Sequence, residues 1–277
     1  WLHNLGNHGT QTEVGDMDFG HRVLVSLRND CLRWFDYWLK GIDNGIADEA
    51  PVRVFVMGAN EWRTSSDWPI PGTEYVPYYL HSQGHANSLF GDGQLDTIQP
   101  SSEDSDSFVY DPSNPVMTLG GSTCCSENVT PVPMGPRDQQ HVEWRPDVLV
   151  YDSKVLETDV EATGPVSMVL FAATDAKDTD FTAKLVDVYP DGRAINVAQG
   201  IIRARYRDSW ETPTLLEPGV IYKYTIDLWS TSNRFLKGHR IRLEIASSNF
   251  PQFDRNPNTG HPFGLDAQLK VANQKIF

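Results

Sequence analysis

Nucleophilic catalysis by a side chain needs a nucleophile, a histidine base and a carboxylate that orients the base, together with donors for the oxyanion. The 277-residue chain holds these residue types without their spacing. A strained Gly-x-Ser-x-Gly turn, which lifts a serine clear of its neighbours between a strand and a helix, does not occur in it. "GGSTC" at 120–124 sets a glycine before Ser122 but none after it. His3, in the opening "WLHNLGNHGT", is a base with no local nucleophile, and by composition alone such a histidine is an exposed bystander. The chain opens with neither an initiator Met nor a basic and apolar leader, so it reads as starting inside a longer sequence. His8 and His21 read as surface residues.

Metal chemistry fares no better. Asp175, Asp178 and Asp180 in "TDAKDTDF" offer oxygen ligands of the kind calcium takes, but lack the glycine and spacing of a calcium loop. A polar turn before a strand is the simpler reading. His81 and His85 in "HSQGH" would make a zinc pair on a helix, yet they flank a glycine turn after a strand, so zinc is not expected. No cofactor is expected. Cys31, Cys124 and Cys125 form no disulfide framework. The compartment stays open between the cytoplasm, slightly favoured, and secretion. A formal charge of −14 disfavours nucleic acid and anionic membrane surfaces as partners. No apolar run has the ~20 residues that span a bilayer.

The elements that must position these residues fall into two textures. Over 21–40, Leu24, Leu27, Cys31, Trp34, Phe35 and Trp38 recur at three- and four-residue steps, which predicts one amphipathic helix stopped by Gly41. A polar linker, "GIDNGIADEAP", follows. After Pro51 short β-branched and aromatic runs alternate with Gly, Pro, Asn and Asp clusters. Strands are predicted at 52–57, 76–81, 106–111, 147–153, 166–173, 181–189, 194–207, 222–229 and 240–247. Asp191-Gly192 centres a hairpin, and 91–107 reads as a solvated acidic loop. About nine strands with almost no helix argue a β-sandwich of jelly-roll type.

In chain order, "PVRVFVMGANEWR", "YYLHSQGHAN", "YDPSNPVMTLGG", "DTDFTAKLVDVYPDGRA" and "GHRIRLEIASSNFPQFDRNPNTG" closely resemble the C-terminal part of the cocaine esterase / X-prolyl dipeptidyl-peptidase / α-amino acid ester hydrolase family of serine hydrolases. The resemblance runs over almost the whole chain. It implies a mainly-β fold: a jelly-roll, galactose-binding-like sandwich over 46–277, preceded over 1–45 by the last loop and helix of an α/β-hydrolase domain. "WLH" matches the end of the family's phrase around its catalytic histidine, which makes His3 the triad base. In this fold the chain order is Ser, Asp, His, so serine and aspartate would lie outside this chain, and the chain alone would be inactive.

Cys124 and Cys125 fall where a relative has apolar pocket-wall side chains, a role that small thiols can fill; buried, unreactive packing is the competing account. Trp62 and Trp68 match domain-interface positions, with core packing the plainer reading. The resemblance also implies one further apolar strand in relatives beyond "VANQKIF". The implied partners are an ester, amide or peptide substrate and a catalytic domain, upstream or on a separate chain, with a homodimer as a further assembly. A non-catalytic jelly-roll module that binds carbohydrate or peptide is the alternative, and it would require exposed aromatics on one face or loop rim.

Overall fold

The computed structural model describes residues 9–123, 132–262 and 264–277. His3, His8, Cys124 and Cys125 lie outside the described residues. Two sheets stack face to face. Seven strands open the description: β1 (Glu13–Val14), β2 (Met17–Asp18), β3 (Val52–Val56), β4 (Glu61–Ser65), β5 (Tyr79–His81), β6 (Gln94–Asp96) and β7 (Asp106–Tyr110). The long strands follow: β8 (Leu149–Asp152), β9 (Val160–Thr174), β10 (Asp180–Val188), β11 (Ala194–Arg203), β12 (Tyr222–Phe235), β13 (Arg240–Ala246) and β14 (Ala272–Ile276). Helices α1 (Leu27–Lys40) and α2 (Gln140–Glu143) complete the set.

One sheet runs β11-β10-β13-β8-β6-β5 and the other β12-β9-β14-β7. Every pairing in them is antiparallel except β6 with β8. β1–β2 and β3–β4 are separate hairpins.

Alternation places the core. Met168, Leu170 and Ala172 of β9 point inward, as do Tyr224, Ile226 and Leu228 of β12, while Val169, Phe171 and Trp229 face out. Across the gap, Phe181 of β10 meets Tyr224 with ring centroids 5.0 Å apart, within the range where aromatic pairs attract. β10 is buried along its whole length because both its faces are covered. Phe181, Ala183 and Leu185 join the central core. On the far face Val142 and Val148 of the α2 region close over Val150 and Ala246.

Most strand predictions hold, with differences at their ends. The helix begins at Leu27 rather than 21, because Ser26 caps it by accepting from Asn29 N at 3.3 Å, and Leu24 is extended. Gly41 ends it as expected, in the left-handed region at φ 69°. The acidic stretch 91–107 is no simple solvated loop. It contains β6 and the start of β7, with Leu95 and Asp106 buried. Residues 204–206 turn into a 3₁₀ helix, so the strand from 194 stops at Arg203. "VANQKIF" is itself strand β14, lying between β9 and β7 inside its sheet. Neither tryptophan assigned to core packing is buried: Trp62 and Trp68 are both partly exposed, and Trp62 donates from Nε1 to Arg22 O at 2.7 Å, tying β4 to the segment before α1.

Candidate functional site

The described residues flanking His3 and those flanking Cys124–Cys125 meet at one rim. After Gly9 the chain forms the β1–β2 hairpin. Its turn needs Gly15, which sits at φ 62°, where a Cβ would stand 2.0 Å from Pro136 O. Val14, Phe19 and Val23 bury together against Met17, Phe55 and Met57. Phe19 meets the Phe55 ring edge-on at 6.1 Å.

The hairpin tip is bolted to residues 136–138. Asp16 N donates to Pro136 O at 2.8 Å, Arg137 Nη1 donates to Asp16 Oδ1 at 2.8 Å, and Asp138 N donates to Asp16 Oδ2 at 2.9 Å. Tyr189 OH lies 3.7 Å from Met17 Sδ.

Residues 136–138 directly follow Gly135, which with Gly121 brackets the stretch of sequence that holds the two cysteines. Gly121 and Gly135 exchange backbone hydrogen bonds of 2.8 and 3.0 Å, which closes a stem. Glycine is required at 121 because a Cβ there would stand 2.2 Å from Gln199 Nε2, at φ 97°. Beneath the stem lies Gln139, fully buried. Its Nε2 donates to Leu119 O at 2.7 Å and Arg137 O at 2.9 Å, and its Oε1 accepts from Lys184 Nζ at 2.9 Å. The result is a cleft of about 440 Å³ lined by Asp16, Leu119, Pro133, Arg137, Asp138 and His141, among others. Its carboxylates serve the architecture: Asp16 is clamped as above, and Asp138 Oδ1 accepts from Gln140 N and Ala194 N at 3.2 and 3.1 Å.

Ser122 follows the glycine bridge in a loop stem and not in a strand-to-helix turn. His21 is exposed. The "TDAKDTDF" aspartates are spent on protein partners. Arg203 Nε and Nη2 donate to the two oxygens of Asp180 at 2.9 and 3.0 Å, and Arg205 Nε donates to Asp178 Oδ2 at 2.7 Å. Asn256 Nδ2 reaches both aspartates, at 2.9 and 2.8 Å. Burial still dominates Asp180, pushing its carboxyl up to about 6 despite Arg203. Asp175 holds Asn273 instead.

His81 sits between Glu103, 2.5 Å from Nδ1, and Asp96, 3.1 Å from Nε2. Burial lowers its pKa, but the two carboxylates outweigh that and leave it raised. His85 lends only its backbone carbonyl nearby, to Asp92 N at 3.0 Å. Sequence reasoning missed a buried pair, His239 Nδ1 with Asp187 Oδ1 at 2.7 Å, its ring against Tyr189 at 4.3 Å. It fastens β10 to the turn before β13.

Exposed aromatics occur on α1 and at several places on the sandwich, Phe90 with Trp144 and Trp229 among them. α1 has no buried residue, and Trp34, Phe35, Trp38 and Leu39 all stand at least half exposed. On the sandwich, Trp210 is exposed and stacks on Tyr206 with 18° between ring planes.

Comparison with known proteins bears on this arrangement. Residues 44–273 match the family described as the X-Pro dipeptidyl-peptidase C-terminal non-catalytic domain. The chain is 49% identical over 227 residues to a cocaine esterase from Rhodococcus sp. (strain MB1 Bresler), covering 82% of the chain and 39% of the relative. It is 30% identical over 255 residues to a putative serine esterase from Mycobacterium bovis, covering 81% of the chain and 36% of the relative. Among solved structures, an aminopeptidase from a marine sediment Thaumarchaeota archaeon superposes with a TM-score of 0.78 at 29% identity, over 98% of the chain and 45% of that protein. An α-amino acid ester hydrolase superposes with a TM-score of 0.75 at 28% identity, over 88% of the chain and 41% of that protein. The chain thus spans about two fifths of the length of these relatives.

Proposed function

The chain belongs to the X-Pro dipeptidyl-peptidase C-terminal non-catalytic domain family, and on that premise we propose that it is the C-terminal portion of a serine hydrolase that cleaves ester or amide bonds through an acyl-enzyme. Residues 46–277 are the jelly-roll domain and residues 1–45 the end of the α/β-hydrolase domain. His3 is the triad base, and its serine and aspartate partners belong to the rest of the protein. The base takes the serine proton in acylation and activates water in deacylation. Cys124 and Cys125 form apolar wall at the acyl side of the pocket.

The observation that carries this reading is the clamp of Asp16 on Arg137 and Asp138. It joins the chain that follows His3 to the Gly121–Gly135 pairing that brackets the two cysteines in sequence, the arrangement needed if base and pocket wall are to act on one substrate. The substrate class extends over the esters, α-amino acid esters and X-Pro peptides named for the relatives.

Purified alone, the chain should not hydrolyse p-nitrophenyl esters above background, and a fluorophosphonate probe should leave it unlabelled. Stoichiometric labelling of any serine, Ser122 included, sinks the reading.

A second reading, a carbohydrate-binding module, draws on Trp210, whose exposed ring backed by Tyr206 is the kind of platform on which sugars stack. Titration with oligosaccharides while following tryptophan fluorescence tests it, with Trp210→Ala as the control.

A further inference from the structure

The α2 region covers the outer face of the six-stranded sheet, and under it lies a chain of buried charges that the hydrolase reading does not use. Arg242 of β13 donates from Nε and Nη2 to Asp152 of β8 at 2.5 and 2.7 Å, and from Nη1 to Glu143 Oε2 of α2 at 2.7 Å. Lys184 of β10 lies 3.8 Å from Glu244 Oε2 of β13. Glu143 and Glu244 are both buried and flank Arg242: Glu143 bonds it, and Glu244 lies two residues along β13, on the same face of the sheet. Asp152 is partly open to water, so the dry part of the group is Arg242, Lys184 and the two glutamates; fully ionised, it sets two like charges beside each other where water screens them little.

The remaining oxygen of each glutamate shows a shortfall of its own. Glu143 Oε1 and Glu244 Oε1 are buried, and no donor in the described structure reaches either. Two acceptors facing each other cannot bond unless one of them holds a proton. A single proton on the pair relieves the repulsion between two buried carboxylates and supplies the donor that their Oε1 atoms lack.

Among the described residues, the other ionisable groups on these elements are exposed or engaged elsewhere. On the covering segment, His141 is exposed, Arg145 bonds Asp147, and Asp138 is taken by backbone amides. On β13, Arg240 turns to Ser153 O; on β11, Arg203 is held by Asp180 and Asp254. Lys184 already bonds Gln139 Oε1.

We infer that Glu143 and Glu244 share one proton, and that this proton fastens the α2 cover to the sheet, so that alkaline pH loosens the cover. Burial, the first cause for both residues, raises their pKa, as the shared proton requires. At neutral pH the folded chain therefore holds a proton that the unfolded chain has released. The stabilisation is complete below the ordinary glutamate range and is lost as pH rises through the pair's own raised value. The cover also carries Gln139, which holds Leu119 and Arg137 at the cleft, so the loosening reaches the rim of the candidate site.

The test is infrared spectroscopy at about pH 8 combined with hydrogen exchange of residues 139–148. Asp180, at about 6, is ionised there and does not interfere. The chain should show the carbonyl stretch of a protonated carboxylic acid, and both Glu143→Gln and Glu244→Gln should lose it. Glutamine at 143 mimics the protonated form, so in that variant the protection of 139–148, corrected for intrinsic exchange, should hold into the alkaline range while the parent loses about tenfold. Should one variant fail to fold, the other still tests whether the band is lost. Absence of the band in the parent, its survival in a folded variant, or equal alkaline loss of protection in parent and Glu143→Gln overturns the inference.

Discussion

All nine residues of β10 are buried, whereas none of the fourteen residues of α1 is. Both elements are more than half apolar, so composition does not explain the contrast. β10 is covered on both faces by its own chain: an apolar core on one side, and the α2 cover with its ionic groups on the other. α1 is secured at its edges only. Ser26 and Gly41 cap it, Lys40 bonds Asp36 one turn away at 2.6 Å, and Arg33 and Asp30 reach Glu49 and Arg53. Its Trp34, Phe35, Trp38 and Leu39 face outward. A helix held by caps and ion pairs, with an uncovered aromatic stripe, is suited to receive another packed body. In the proposed hydrolase that body is the catalytic domain. In that proposal the sandwich is the rigid part, and the N-terminal segment is the connection.

Substitutions should separate the two regions sharply. Phe181→Ala removes a ring from the centre of the core and should cost about 3–5 kcal/mol, read as a fall in the urea midpoint. If it cost under about 1 kcal/mol, the core would not be the rigid part. Gly121→Ala places a Cβ against Gln199 at a left-handed position. It should cost about 1–3 kcal/mol and alter hydrogen exchange in the stem more than in β10.

The joint between the regions should respond to acid. Glu161 of β9 accepts from Arg63 of β4 at 2.5 and 2.9 Å and from Arg234 of β12 at 3.1 Å. Its bonds to Arg63, above all, hold its carboxyl down at about 2, from an ordinary 4.5. A depressed carboxylate stabilises the fold above its ordinary value, and that contribution disappears as pH falls from about 4.5 through about 2. Glu161→Gln should therefore cost about 1 kcal/mol at neutral pH, after allowing for solvent screening, and flatten the acid limb of a melting-temperature profile. An unchanged acid limb would show that the ion pair does not couple β4 to the sandwich. The smallest effect belongs to α1: Trp38→Ala in the chain alone should stay within about 0.5 kcal/mol. A larger loss would mean that the helix is already covered.

Elements with strong local periodicity were legible in the sequence. β10, β12 and β13 alternate apolar and polar residues over most of their length, β9 carries the apolar run Met168–Ala173, and Asp191-Gly192 marks the β10–β11 turn, where Gly192 N donates to Tyr189 O. β2, β4 and β6 are only two to five residues long, too short for a period to show; β2 and β4 pair across tight hairpins with β1 and β3, and β6 bridges β5 and β8. The helix start was misread because the apolar spacing continues through Leu24, while Ser26 decides where helical hydrogen bonds begin. The pairing of Asp178 and Asp180 with Arg205 and Arg203 had a usable signal: two acids and two arginines at matched spacing on either side of a hairpin turn. The Glu143–Glu244–Arg242 group had none, because its members come together only through tertiary folding. At the candidate site, the glycines at 120, 121 and 135 were visible, but not the hairpin that bolts to their stem. His3, Cys124 and Cys125 rest on the family resemblance.

The central claim is that this chain completes a hydrolase by contributing its base. The most direct test is the turnover of the complete protein with His3→Ala, measured on an ester substrate beside the unaltered protein. The account predicts a fall in kcat of about 10⁴–10⁶-fold, since the base acts in both acylation and deacylation. Turnover within a few-fold of the unaltered protein would contradict it.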